Sequence, residues 1–132
     1  MKAFVLDASL ALEWFTTSAS RQALAKRALF DDRVAVVPHL WRFEVMNVIT
    51  TWTRSKYLSR AEASFILNDV TRLPFAIVDE GSPEAVIDLA VAQQLSAYDA
   101  SYLHTAMVIG EPLATLDSRL IKAAHRVGVQ CV

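Results

Sequence analysis

The chain has 132 residues, 54 % of them hydrophobic, and a formal net charge of −1 at pH 7. That length fits one domain with its own core, and no apolar run approaches the ~20 residues of a membrane span. The near-neutral charge gives no global basic signature of a nucleic-acid binder, and the single cysteine, Cys131, excludes an internal disulfide framework and fits a reducing cytoplasm.

Lys2 followed by apolar residues imitates the start of a signal peptide. Asp7 and Glu13 interrupt the run, however, and no small-residue cleavage site follows, so residues 3–6 read as a first strand. Residues 34–37 form the second strand. Trp41, Val45, Val48 and Trp52 then recur at spacings of four, three and four, one face of a helix over residues 38–54. Ser59-Arg60-Ala61-Glu62 is a capping box that opens a second helix over residues 59–72. Residues 75–78 are the third strand, and Ser82-Pro83 places a cap before a proline at the first helical position. The stretch 97–109 stops at Gly110, residues 113–115 and 129–132 supply two more strands, and Gly128 follows the last helix. Short strands apolar on both faces, alternating with helices, predict βαβ units and a parallel sheet covered on both sides.

Four acids stand where this architecture converges. Asp7 ends the first strand and Asp117 follows the run 112–116, while Glu44 and Asp99 lie in helical stretches. In α/β folds the strand ends and helix starts at one sheet edge form the ligand crevice. Each acid has a bland alternative. Asp7 and Asp117 can cap the helices that follow them, Asp99 can complete a capping box with Ser96, and Glu44 can lie on a solvated face. Glu44 fits its alternative least well. It neighbours positions 41 and 48 on the helical wheel, at the edge of the apolar face, where a charge needs a partner. Asn47, one turn later, is placed to orient it.

Jointly the acids are harder to dismiss. Four gathered carboxylates repel one another, which is tolerable mainly around a hard divalent cation. Ser9, Thr115 and Ser118 bring hydroxyls to the same place. An oxygen-only set suits Mg²⁺ or Mn²⁺ rather than Zn²⁺, and points to a metal-dependent enzyme acting on phosphates. Of the 14 acidic side chains, removing these four leaves ten against 13 basic ones, so the remaining surface is net basic.

The pattern Val5-Leu6-Asp7-Ala8-Ser9, Pro38-His39-Leu40 leading to Glu44 and Asn47, Tyr98-Asp99-Ala100-Ser101-Tyr102, and Leu113-Ala114-Thr115-Leu116-Asp117-Ser118-Arg119-Leu120 resembles the PIN-domain ribonucleases. Within them it is most similar to the VapC-type toxins of toxin–antitoxin pairs. The likeness spans essentially the whole chain in the family's order. The glycine that often precedes the third motif is replaced here by Gln93-Gln94-Leu95. The resemblance implies a single three-layer α/β/α PIN-like domain over residues 1–132, with a central, mostly parallel sheet of about five short strands. It implies an Mg²⁺- or Mn²⁺-dependent endoribonuclease that cuts structured or translation-related RNA and so inhibits growth or translation. It also implies a homodimer and a cognate antitoxin that blocks the site. The family's acidic positions map onto Asp7, Glu44, Asp99 and Asp117, with Thr115 and Ser118 as supporting polar positions.

In that chemistry Asp7 and Asp99 are the expected primary ligands, and Glu44 and Asp117 complete the shell. Hydrolysis by water spares the ribose 2′-hydroxyl and leaves a 5′-phosphate and a 3′-hydroxyl. Arg42, Arg54, Lys56, Arg119 and Lys122 are candidates for phosphate contacts. Arg119 leads, two residues after Asp117. His39, His104 and His125 lack any metal or triad spacing and read as structural or surface residues. Trp14, Phe15, Trp41, Trp52 and Phe65 read mostly as core, some of them available to line a groove for an apolar antitoxin segment.

The main alternative is a receiver-like, Mg-binding phosphoacceptor domain, with Asp79 after the third strand as the phosphorylated residue. Against it, Ala8 rather than an acid follows Asp7, and no lysine closes the last strand. A haloacid-dehalogenase-like phosphatase needs an Asp where Ser9 stands. A catalytically silent module has no use for the intact acid set.

Overall fold

The computed structural model describes residues 2–79 and 81–132. Strand β1 (Lys2–Leu6) leads through helices α1 (Ala8–Glu13) and α2 (Arg21–Ala25) and a 3₁₀ turn (Lys26–Asp31) to β2 (Arg33–Pro38). The paired helices α3 (Leu40–Arg54) and α4 (Arg60–Thr71) follow, then β3 (Phe75–Val78), α5 (Pro83–Gln93), α6 (Ala97–Ile109), β4 (Leu113–Ala114) and α7 (Ser118–Arg126). The fold is a three-layer α/β/α arrangement around a parallel sheet of order β3-β2-β1-β4. Phe4, Val5 and Leu6 are all fully buried. Successive strand side chains point to opposite faces, so both faces of β1 are covered.

Helix starts follow their caps. Ser59 and Glu62 form the reciprocal capping box at α4, Ser82 caps α5 ahead of Pro83, and Ser96 caps α6 by accepting from the Asp99 N–H at 3.1 Å. Gly110 closes α6 in the left-handed conformation, φ 69°. Gln94 does the same for α5 at φ 55°, a position where glycine would be unstrained. The turn is therefore made here without glycine, at some backbone cost.

Two expectations are corrected. The stretch 129–132 is not a fifth strand. It makes one parallel bridge, Leu113 to Cys131, flanked by Leu113 N–H to Gln130 C=O at 2.9 Å and Val132 N–H to Leu113 C=O at 3.0 Å. β4 spans only Leu113–Ala114, too short an edge to order a longer neighbour. Phe65 is 70 % exposed rather than core. The inward face of α4 is Ala63, Ile66 and Val70, and residue 65 falls off that stripe.

The strand order also separates the rival readings. β2 lies between β1 and β3, whereas a receiver domain places β3 directly beside β1. Asp79 thus follows an edge strand, one strand removed from Asp7, and its Oδ1 accepts from the Gly81 N–H at 2.8 Å. The direction of winding reverses between β1 and β4, which sets the crevice at their carboxyl ends.

Candidate active site

Asp7 follows β1 and opens α1. Its backbone N–H donates to Ala114 C=O at 3.1 Å, and its Oδ1 accepts from the Ser9 N–H at 3.1 Å. Its Oδ2 accepts from the Thr115 hydroxyl at 2.7 Å. Asp7 is 6 % exposed and Thr115 1 %, so the link between the ends of β1 and β4 is sealed from water. Burial raises the Asp7 pKa most, with the Asp117 charge adding, while the hydrogen bonds from Thr115 and Ser9 oppose the rise.

The Thr115 oxygen also accepts from the Asp117 N–H at 3.1 Å. One hydroxyl thereby fixes two acids. Asp117 is exposed and caps α7, its Oδ1 accepting from the Leu120 N–H at 2.9 Å. The bland reading of Asp7 and Asp117 as helix caps is therefore correct, and it positions them at the same edge rather than excluding a second role.

Glu44 comes from α3. Its Oε2 accepts from the Tyr102 hydroxyl at 2.6 Å, and the Tyr102 oxygen in turn accepts from the Ala8 N–H at 3.4 Å. Tyr102 is wholly buried on α6. Burial raises the Glu44 pKa, the Tyr102 bond lowers it, and the charges of Asp7 and Asp99 raise it. The Tyr102 hydroxyl is pushed far above its ordinary value, by burial first and then by Glu44. Asn47 is exposed, and the bond that orients Glu44 comes from Tyr102 instead.

Asp99 sits in the first turn of α6, half-buried. Its pKa is raised by burial, then by the charges of Asp117 and Asp7, and is lowered by hydrogen bonding with Ser96 and by the Arg119 charge. The four sequence-predicted acids are thus one electrostatic group drawn from four parts of the chain. Ser9 and Ser118 are exposed beside them, and Arg119 is close enough to act on Asp99. Arg42 lies elsewhere, in a groove with Trp41, Met46, Leu67 and Ile77.

Among the described residues, no three acidic, histidine or cysteine side chains close into a ready-made cage for an ion. The donor set nevertheless fits a hard divalent cation. Every donor is oxygen, and three of the carboxyls are held in raised-pKa states that a nearby cation would relieve.

Tyr102 is the participant that residue-type reasoning missed. Its signal was its place three residues after Asp99, which puts both on one helix face.

Comparison with known proteins bears on the family and the fold. The PIN domain family model matches residues 4–126. Among solved structures, the chain is similar to PAE2754 from Pyrobaculum aerophilum, with 24 % identity, TM-score 0.76, and coverage of 99 % of this chain and 84 % of that one. It is similar to VapBC2 from Rickettsia felis, bound to a DNA fragment from their promoter, with 11 % identity, TM-score 0.70, and coverage of 98 % and 97 %. A toxin–antitoxin complex from Klebsiella pneumoniae matches with 20 % identity, TM-score 0.60, and coverage of 89 % of each chain. No curated protein sequence matches.

Proposed function

This chain belongs to the PIN domain family, and on that premise we propose that it is a single-domain, Mg²⁺- or Mn²⁺-dependent endoribonuclease. We assign it the role of toxin in a toxin–antitoxin pair, acting in the cytoplasm as a homodimer and restrained by a cognate antitoxin. The carrying observation is the convergence of the acids at one sheet edge, where Thr115 bonds to Asp7 and to the Asp117 N–H and Tyr102 bonds to Glu44, with Asp99 on the same helix as Tyr102. The likeness to toxin–antitoxin complexes supports the partner. No helix among the described residues is long and apolar enough to cross a membrane.

The chain's own residues do the holding. Asp7 and Asp99 are the principal ligands in this reading, with Glu44 and Asp117 completing the set. Each of three acids is anchored through identified contacts, Asp7 by Thr115 and Ser9, Glu44 by Tyr102, and Asp117 by the Leu120 N–H. Among the described residues Glu44 and Asp117 are each bonded through one oxygen, which leaves the other for a ligand. Such outer hydrogen bonds fix ligand orientation before the cation arrives. When bound, the divalent cation supplies Lewis-acid activation of the scissile phosphodiester and a nucleophilic water at neutral pH. Arg119 is positioned to meet the phosphate backbone of RNA, which gives affinity without sequence choice. The exposed Met46, Leu67 and Ile77 beside Trp41 form an apolar surface of the kind that partner proteins cover.

Total cellular RNA treated with the purified chain, with Mg²⁺ or Mn²⁺ and with EDTA, tests this reading. Discrete cuts that need metal and leave 5′-phosphate ends are expected. Metal-independent cleavage, or 2′,3′-cyclic ends, would refute it.

A further inference from the structure

Beside the acids, among α1, the chain that follows it and the C-terminal end of α3, lies an open pocket of about 460 Å³, within the size range of ligand sites. It begins at Ser9, whose backbone N–H holds Asp7, so it adjoins the acid edge. Trp52 and Tyr57 also line it, their rings edge to face with centroids 5.6 Å apart. Tyr57 is 49 % exposed, and its hydroxyl lies 3.3 Å from Ser18 Oγ. Lys56, immediately before it, takes the left-handed conformation at φ 62°, uncommon for a residue with a side chain.

Three polar groups of the lining present acceptors, while the Ser18 and Tyr57 hydroxyls at its rim share one hydrogen bond between them. The Thr16 hydroxyl donates to Glu13 C=O at 2.9 Å, and the Ser55 hydroxyl donates to Trp52 C=O at 3.1 Å. Both have committed their protons to backbone and keep lone pairs for a ligand. Glu13 lines the same pocket, its Oε1 accepting from the Ser20 N–H at 3.0 Å. Its Oε2 has no hydrogen bond among the described residues. The lining contains no lysine or arginine. Such a surface repels a phosphate and suits a flat group that carries N–H donors.

We propose that this pocket seats a nucleobase next to the scissile phosphate, one bearing an exocyclic amino group, stacked on Tyr57 and hydrogen-bonded to Glu13. The proposal rests on the ribonuclease reading and adds base selectivity to it. Stacking on aromatic rings and hydrogen bonding to base edges is how single-stranded RNA is read. Uracil presents carbonyl oxygens on both sides of its one ring N–H and is disfavoured beside the acceptors of Glu13, Thr16 and Ser55. A partner's arginine also donates, but its bidentate fork seeks both oxygens of one carboxylate, and Glu13 Oε1 is already taken by the Ser20 N–H.

The test uses the full chain freed of antitoxin, with single-stranded RNA oligomers that differ at one base. Fluorescence anisotropy in EDTA reads the pocket apart from cleavage, and kcat/KM with Mg²⁺ reads it in turnover. Cytosine or adenine oligomers are expected to bind about tenfold tighter than uracil ones. Tyr57→Ala should weaken all of them about tenfold, as loss of one stacked base does. Glu13→Gln should flatten or reverse the preference, because the new amide donates where the carboxylate accepted. Equal binding of all bases by the wild type, or a preference unchanged in both variants, overturns the proposal. So does an unchanged RNA affinity in variants whose antitoxin complex is weakened, which would assign the pocket to a protein. Glu13-dependent base discrimination without cleavage sustains the pocket and refutes the nuclease reading. Metal-dependent cleavage that is blind to the base does the reverse.

Discussion

The Tyr102 hydroxyl donates to Glu44 Oε2 at 2.6 Å and ties α6 to α3 across the acid edge. Asp99 stands on the same helix as Tyr102, so one element contributes an acid directly and fixes a second through its neighbour. Tyr102→Phe keeps the ring's packing and removes this bond together with the longer one that the hydroxyl accepts from the Ala8 N–H. We expect metal affinity or kcat to fall about 10–100-fold, the usual effect of losing an outer hydrogen bond on a ligand. The stability loss should be about 1–2 kcal/mol, since the half-exposed Glu44 regains water while the buried Ala8 N–H loses a long, weak bond. Isothermal titration with Mn²⁺ and thermal melting separate the two effects. A variant with wild-type metal affinity would remove Tyr102 from the site.

Thr115→Val should be more damaging to the fold. The hydroxyl donates to Asp7 Oδ2 and accepts from the Asp117 N–H, both at a residue 1 % exposed. Leaving the buried Asp7 oxygen without its donor costs about 1–3 kcal/mol. Because the Thr115 bond lowers the Asp7 pKa, that pKa should rise further. Chemical denaturation read alongside activity checks both. Unchanged stability would mean that water replaces the hydroxyl.

The raised pKa values of Asp7, Glu44 and Asp99 fix the sign of a pH effect. A carboxyl whose folded pKa lies above its unfolded one adds stability below the unfolded value. That stability is lost as pH rises through the folded value. Near neutral pH the metal-free protein therefore carries a penalty that begins above the ordinary carboxylate range of 3.8 to 4.5. Asp99→Asn removes one share of it. Metal-free, the variant should melt roughly 1–3 °C higher than the wild type at pH 7, with the gap closing as pH falls through the raised Asp99 pKa. A variant less stable than the wild type at pH 7 would contradict the assigned repulsion.

Much of this was legible in the chain. Asp7 and Asp117 announce themselves by following apolar runs, and a parallel sheet brings such ends to one edge. The capping box at Ser59 and the cap at Ser82 set helix starts through local hydrogen bonds alone, so local sequence suffices to read them. What depended on tertiary contact was hidden. The partner of Glu44 is 58 positions away on another helix, and nothing near residue 44 names it. The bridge that replaces a last strand reflects the shortness of β4, which composition cannot reveal. Phe65 reads as core by pattern, but the buried stripe of its helix is Ala63, Ile66 and Val70, whose phase turns it outward.

The most direct measurement compares wild type and Asp99→Asn on the same cellular RNA in Mg²⁺, with melting curves to show that both are folded. The account predicts discrete cuts by the wild type, abolished by EDTA, and loss of at least about a hundredfold in rate by a variant that melts no lower. Undiminished cleavage by a folded Asp99→Asn protein would contradict the claim that these acids form the catalytic centre.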